Sequence, residues 1–213
     1  MIGLCGAHRT GKTTLAKEYA EYKNHHFLET STSAVFRDLG YDPKGPFTFK
    51  ERLTIQQEIL KRMEVEYDSA PVGFITDRTP LDFLAYTMSE MIGDAVTEDL
   101  FEATNKYIED CYDLCNKYFQ VVILVQPGIP LIDEEGKALA NSAYIEHLNS
   151  LILGLSVDSR LKARHFYIPR SKIKMEDRIS AVESAVIISM EHQKIELDSY
   201  IETELNGDRN KMH

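Results

Sequence analysis

The chain has 213 residues, 43% hydrophobic and 27% charged, which is enough apolar material for one substantial core. Asp and Glu outnumber Lys and Arg 34 to 24, and the formal charge of −10 disfavours indiscriminate binding to nucleic acid or anionic lipid. No run of about 18 apolar residues could serve as a membrane span, and three cysteines make no disulfide framework.

The chain opens on Met1-Ile2-Gly3-Leu4-Cys5 and enters a glycine loop without the charged and apolar regions of a signal peptide, so a cytoplasmic location with reduced thiols is expected. Residues 2–5 read as a buried strand and 12–22 as a helix, followed by a strand at 26–29 and a helix at 49–67. A third strand is predicted at 72–76, and Pro80 suits the first turn of a helix over 80–91. Helical period returns at 98–118 and an apolar run at 121–125, after which Gly128 and Pro130 break the chain. A helix at 142–155, a strand at 165–168 and one or two helices over 174–201 complete the sequence, with a polar tail at 207–213 expected to fray. Short apolar runs alternating with helical stretches predict an α/β fold, a parallel sheet sandwiched by helices, in a single domain over 1–206. Cys111 and Cys115 lie one helical turn apart with no His or Cys cluster nearby, which favours packing over zinc.

Gly6-Ala7-His8-Arg9-Thr10-Gly11-Lys12-Thr13 satisfies G-x-x-x-x-G-K-[ST] between an apolar strand and an amphipathic helix, with Thr14 next in line. In that setting the glycines let the backbone wrap a phosphate, and successive N–H groups with the helix N-terminus form a positive concavity. Lys12 is expected to reach the β- and γ-phosphates of ATP and the Thr13 hydroxyl to ligate Mg²⁺. Arg9 either touches phosphate or stays in solvent.

In doubly wound sheets ligands sit beyond the carboxyl ends of the strands. There the second strand ends on Glu29 and the third on Asp77-Arg78-Thr79-Pro80. A carboxylate closing an apolar strand can hold Mg²⁺ or take a proton from an attacking hydroxyl.

The glycine loop, Glu29 and the Asp77-Arg78-Thr79-Pro80 element together resemble the nucleoside and nucleotide kinase branch of P-loop proteins, and the layout is similar to compact phage and bacterial kinases. The group includes phage deoxynucleotide kinases and the nicotinamide riboside kinase domain. This resemblance implies that Glu29 or Asp77 is the base, that Arg78 holds acceptor or donor phosphate, and that Arg170 lies in a loop against the ATP base. It also implies a small lid at about 127–160, where Lys137 stands in place of the expected arginine; Arg160 and Arg164 are the other candidates. Arg160, Lys162, Arg164, Arg170, Lys172 and Lys174 form a basic run without an acid, which suggests an anionic ligand. Arg37, Arg52, Gln56 and Gln57 are candidates to reach the acceptor, since a glutamine can pair with a base edge through donor and acceptor together. The expected activity is transfer of the γ-phosphoryl group of ATP to a nucleoside- or deoxynucleotide-type acceptor. Two alternatives stand beside it: a kinase of the hydroxymethyl group of 5-hydroxymethyluracil in DNA, and a P-loop ATPase working with a protein partner. Residues 49–67 are a candidate face for a homodimer.

Overall fold

A computed structural model describes residues 1–30, 32–42, 45–132 and 141–210, with the backbone alone for Asp94 and residues 199–210. Five strands, β1 (Ile2–Cys5), β2 (Phe27–Leu28), β3 (Ile75–Thr76), β4 (Val121–Val125) and β5 (Arg164–Ile168), form one sheet in the order β2-β3-β1-β4-β5. Every neighbouring pair is parallel. Among the described residues seven α-helices accompany them: α1 (Lys12–Lys23), α2 (Ser33–Asp38), α3 (Phe49–Ser69), α4 (Pro80–Met88), α5 (Phe101–Tyr118), α6 (Ser142–Ser156) and α7 (Met175–Asn210).

Strand residues alternate between two apolar layers, as the pleat requires. Ile2, Leu4, Val121, Ile123 and Val125 pack with Leu15, Tyr19, Val182 and Ala185 of α1 and α7. Cys5, Val122 and Leu124 face the opposite layer, built from α3, α4, α5 and α6. β4 is buried along its whole length, consistent with a central strand covered on both sides.

Three elements differ in their bounds from the sequence expectations. The third strand is two residues long because Gly73 adopts φ 88° and Val72 points outward at 95% exposure, so pairing begins only when Phe74 accepts from the Ile2 amide. The helix expected to begin at residue 98 is first a 3-10 turn, Glu98–Leu100, and becomes α-helical at Phe101. The last helix continues to Asn210, past the bound near residue 201 expected for it. From Met190 to Asp198 its side chains are all exposed, so this stretch buries no apolar face within the chain.

Two helix starts carry capping residues. Thr48 and Glu51 close a capping box at α3, and Pro80 follows Thr79 at the first turn of α4. The face of α3 considered for a homodimer is covered from within: Phe49, Leu53, Ile59, Leu60, Met63 and Tyr67 belong to the core. Cys5, Cys111 and Cys115 are buried free thiols, with burial pushing each thiol pKa upward. No group of metal-ligating residues includes them among the described residues. No described helix is long and apolar enough to cross a membrane.

Candidate active site

The carboxyl end of β1 leads directly into the glycine loop. Gly6 at φ 146° passes so close to β4 that a Cβ there would lie 2.6 Å from the Val125 carbonyl oxygen. Arg9 and Gly11 both have positive φ, 62° and 80°, which curls the loop back toward α1. Thr10 Oγ1 donates to the Ala7 carbonyl at 3.0 Å and closes the curl. Gly11 caps α1 without a side-chain hydrogen bond, which leaves the first helical amides open to an anion.

Lys12 is folded into the loop. Its Nζ donates to the carbonyls of Gly6 at 2.5 Å and Ala7 at 2.8 Å and lies 3.7 Å from Asp82 Oδ1. Burial lowers the lysine pKa, with the Asp82 charge acting in opposition. Asp82 is the main residue that the sequence reading missed. It is 2% exposed; Oδ1 accepts from the Gly6 amide at 3.0 Å while Oδ2 accepts from the Thr79 amide at 2.8 Å. One carboxylate therefore caps α4 and fastens the first glycine of the loop. Burial raises its pKa against the pull of Lys12. The Thr79-x-x-Asp82 spacing was a visible signal, but it reads as an ordinary helix cap.

The two acids at the strand ends are neighbours. Leu28 of β2 is in register with Thr76 of β3, so Glu29 and Asp77 directly follow paired positions on adjoining strands. Thr30 and Thr76 hydroxyls join the two strand ends at 3.2 Å. Asp77 is buried, and its Oδ2 accepts a hydrogen bond from the Thr13 hydroxyl. Glu29 is exposed. Arg78 is half-buried, with its guanidinium carbon 5.9 Å from the Phe83 ring centroid. His8 Nδ1 lies 3.2 Å from the Tyr86 hydroxyl, and Arg9 donates to the Ile132 carbonyl. Thr14 is exposed on the first turn of α1.

On the acceptor side the candidates separate. Gln56 is 4% exposed, and its Oε1 has no hydrogen-bond partner among the described residues. Arg52 donates to Glu90 at 2.9 Å and lies 4.6 Å above the Phe47 ring. Gln57 instead lines a groove of about 450 Å³ between α3 and α5, with Lys61, Glu64 and Asp110, so it turns away from this side. Arg37 is exposed on α2, its Nε 3.9 Å from Asp38. Lys137 lies outside the described residues.

The basic run divides along β5. Arg164 opens the strand opposite Val121 and pairs with Glu196 of α7, while Arg160 pairs with Asp158 and Glu109 and stacks over Tyr112 at 4.5 Å. Both therefore sit at the amino end of the sheet, opposite the glycine loop, and neither can serve the lid. Asp158 is held at a pKa of about 2 by the Arg160 guanidinium, as expected for a surface ion pair. Arg160→Ala should leave phosphoryl-transfer kinetics within about twofold of wild type and cost less than about 1 kcal/mol in a urea titration, the scale of exposed pairs. A large loss of turnover would return Arg160 to the site. Arg170 lies beyond the carboxyl end of β5 and binds Glu146 of α6 through both terminal nitrogens, at 2.5 and 2.6 Å. Its backbone abuts Gly128, where a Cβ would come within 2.3 Å of the Arg170 carbonyl oxygen. The loops after β4 and β5 are thus packed together beside the glycine loop.

The fold is similar to that of deoxyadenosine kinase from M. mycoides with bound dCTP, at a TM-score of 0.61 and 16% identity over 87% of this chain and 97% of that one. It is also similar to the YorR protein of Bacillus subtilis in complex with phosphorylated GDP, at a TM-score of 0.51 and 12% identity over 90% and 97% of the two chains. No curated protein matches the chain significantly by sequence. Residues 1–136, which contain the glycine loop, both acidic strand ends and Asp82, match the AAA_28 family model, described as an AAA domain. With that match over more than half its length, the chain belongs to the AAA_28 family and carries the P-loop kinase fold.

Proposed function

We propose that this chain is an ATP-dependent kinase that transfers the γ-phosphoryl group to a nucleoside- or deoxynucleotide-type acceptor. The observation that carries the reading is the division between the paired acids: Asp77 is engaged by Thr13 of the phosphate loop, while Glu29 stands exposed one strand further out. A hydrolase of the P-loop class has to orient only water; a second carboxylate beside the first suits an acceptor with its own proton to lose.

Thr13 and Asp77 present hard oxygen donors at the rim of the loop and fit Mg²⁺, which takes one or two carboxylates together with substrate phosphates. When bound there, the ion neutralises charge on the phosphate oxygens. The chain's own residues do the positioning. Loop amides and the start of α1 receive the phosphates. Lys12 turns from the Gly6 and Ala7 carbonyls toward the incoming negative charge, and Arg78 holds phosphate from the acceptor side. Glu29 takes the proton of the acceptor hydroxyl. The Gln56 amide, buried with its oxygen unpaired, offers an edge that a nucleobase can satisfy. Support for that acceptor class also comes from the deoxyadenosine kinase of similar fold, which is seen with dCTP and with dATP.

The DNA-directed alternative is disfavoured by three ion pairs. Arg160, Arg164 and Arg170, half of the six cations of the basic run, are each already paired with a carboxylate of the chain, which weakens the run as a track for a phosphate backbone. Labelled ATP with Mg²⁺ should give phosphorylated product with a free nucleoside or nucleoside monophosphate, and none with DNA containing 5-hydroxymethyluracil. Hydrolysis without transfer to any acceptor, stimulated by a protein partner, would replace this reading with the ATPase one.

A further inference from the structure

Arg178, in the first turn of α7, is 2% exposed and has no carboxylate within ion-pair distance among the described residues. Its Nη1 donates to the Thr10 carbonyl in the phosphate loop at 3.0 Å, and its Nε donates to the Lys172 carbonyl, in the loop after β5, at 2.9 Å. The guanidinium reaches the loop because Gly11 has no side chain: a Cβ there would lie 2.9 Å from Arg178 Nη1 and 3.2 Å from Ile129 Cδ1. Burying a guanidinium without a counter-charge is costly, and two carbonyl contacts recover only part of its lost hydration. The desolvation of that charge is better compensated when an anion enters the neighbouring loop than in the folded chain alone.

The geometry also says how the charge acts. A trans peptide places its C=O and N–H on opposite sides, so a guanidinium holding the Thr10 carbonyl turns the Gly11 N–H away from itself. The same contact polarises that peptide and strengthens its N–H as a donor. Through the Lys172 carbonyl, one side chain also fixes the loop after β5 relative to the phosphate loop.

We infer that Arg178 is a positioning residue of the donor site, locking the phosphate loop to the loop after β5 and placing an unpaired positive charge behind the peptide that receives the donor's phosphates. The inference rests on the ATP-binding reading above. It predicts linkage between nucleotide and this residue: a phosphate-bearing ligand relieves the burial of an uncompensated charge, and removing the charge removes that gain.

Titration calorimetry of wild type, Arg178→Met and Arg178→Lys with Mg²⁺-ADP and with inorganic tripolyphosphate tests it, alongside the Tm of each unliganded protein. Arg178→Met should weaken both ligands by about tenfold or more, the scale of a lost charge-assisted contact. Its unliganded Tm should be unchanged or higher. A lowered Tm with wild-type affinity for both ligands would mark a merely structural role and overturn the inference, whereas weakened affinity supports it whichever way the Tm moves. Arg178→Lys, whose single ammonium cannot span both carbonyls in the same geometry, should weaken both ligands severalfold. Wild-type affinity in both variants overturns the inference, as does loss of ADP binding with tripolyphosphate binding intact. If Arg178→Met does not fold, Arg178→Lys decides alone: severalfold weaker binding supports the inference and wild-type affinity overturns it. Failure of the wild type to bind either ligand is a separate result that overturns the ATP-binding reading and this inference with it.

Discussion

Lys12→Ala is expected to lower phosphoryl transfer by at least a factor of about a hundred to a thousand, the usual consequence of removing one preorganised charge from a transition state. In the structure Lys12 is held inside the loop it serves, on the carbonyls of Gly6 and Ala7 and 3.7 Å from Asp82. Those contacts keep the ammonium at the loop. The same substitution leaves Asp82 buried beside no cation, and it should therefore cost stability as well as activity. The two effects separate in a double-mutant cycle with Asp82→Asn. The asparagine keeps a partner for the Gly6 amide while removing the charge, so Lys12→Ala with Asp82→Asn should recover part of the lost stability in urea unfolding and none of the lost turnover. Near-normal turnover in purified Lys12→Ala would sink the kinase reading entirely.

What the sequence made legible was whatever is local. β1 and β4 are apolar along their whole length and buried on both faces, so composition alone sets their bounds. The glycine loop is legible for a related reason: eight consecutive residues carry its motif. β3 was overextended because Val72 and Gly73 look like strand until the backbone turns at φ 88°. α2 carries only Val35 and Phe36 as buried residues, too few to show a period.

The basic run shows the limit most clearly. Arg164 and Arg170 are six positions apart and read as one cluster, but β5 lies between them. At about 3.3 Å per residue the five-residue strand carries the chain roughly 16 Å, from the amino to the carboxyl end of the sheet. Charge density along a sequence does not say at which end of a strand a charge emerges. Asp82 and Arg178 illustrate the converse. Asp82 sits in the first turn of α4, where an acid reads as an ordinary cap, and Arg178 follows Glu176 and Asp177 at the start of α7, where it reads as one more charge of a polar turn. Their roles exist only because α4 and α7 pack against the same loop.

The acids at the ends of β2 and β3 give the second large effect. Glu29→Gln is expected to lower kcat for acceptor phosphorylation by about a hundredfold or more, the scale of a lost general base, while leaving the affinity for ATP near its wild-type value. The amide preserves shape and a hydrogen bond to the acceptor hydroxyl but cannot take its proton. Because Glu29 is exposed, the change should not disturb the fold. Asp77→Asn should behave differently: its partner is the Thr13 hydroxyl, so the loss should fall on the Mg²⁺ dependence of the reaction, with a higher metal requirement at every acceptor concentration. A pH profile of kcat separates the roles further. If Glu29 is the base, the acidic limb of the wild-type profile should vanish in Glu29→Gln and persist in Asp77→Asn. The reverse pattern would assign the proton to Asp77 and leave Glu29 with acceptor binding, where its substitution would raise KM instead.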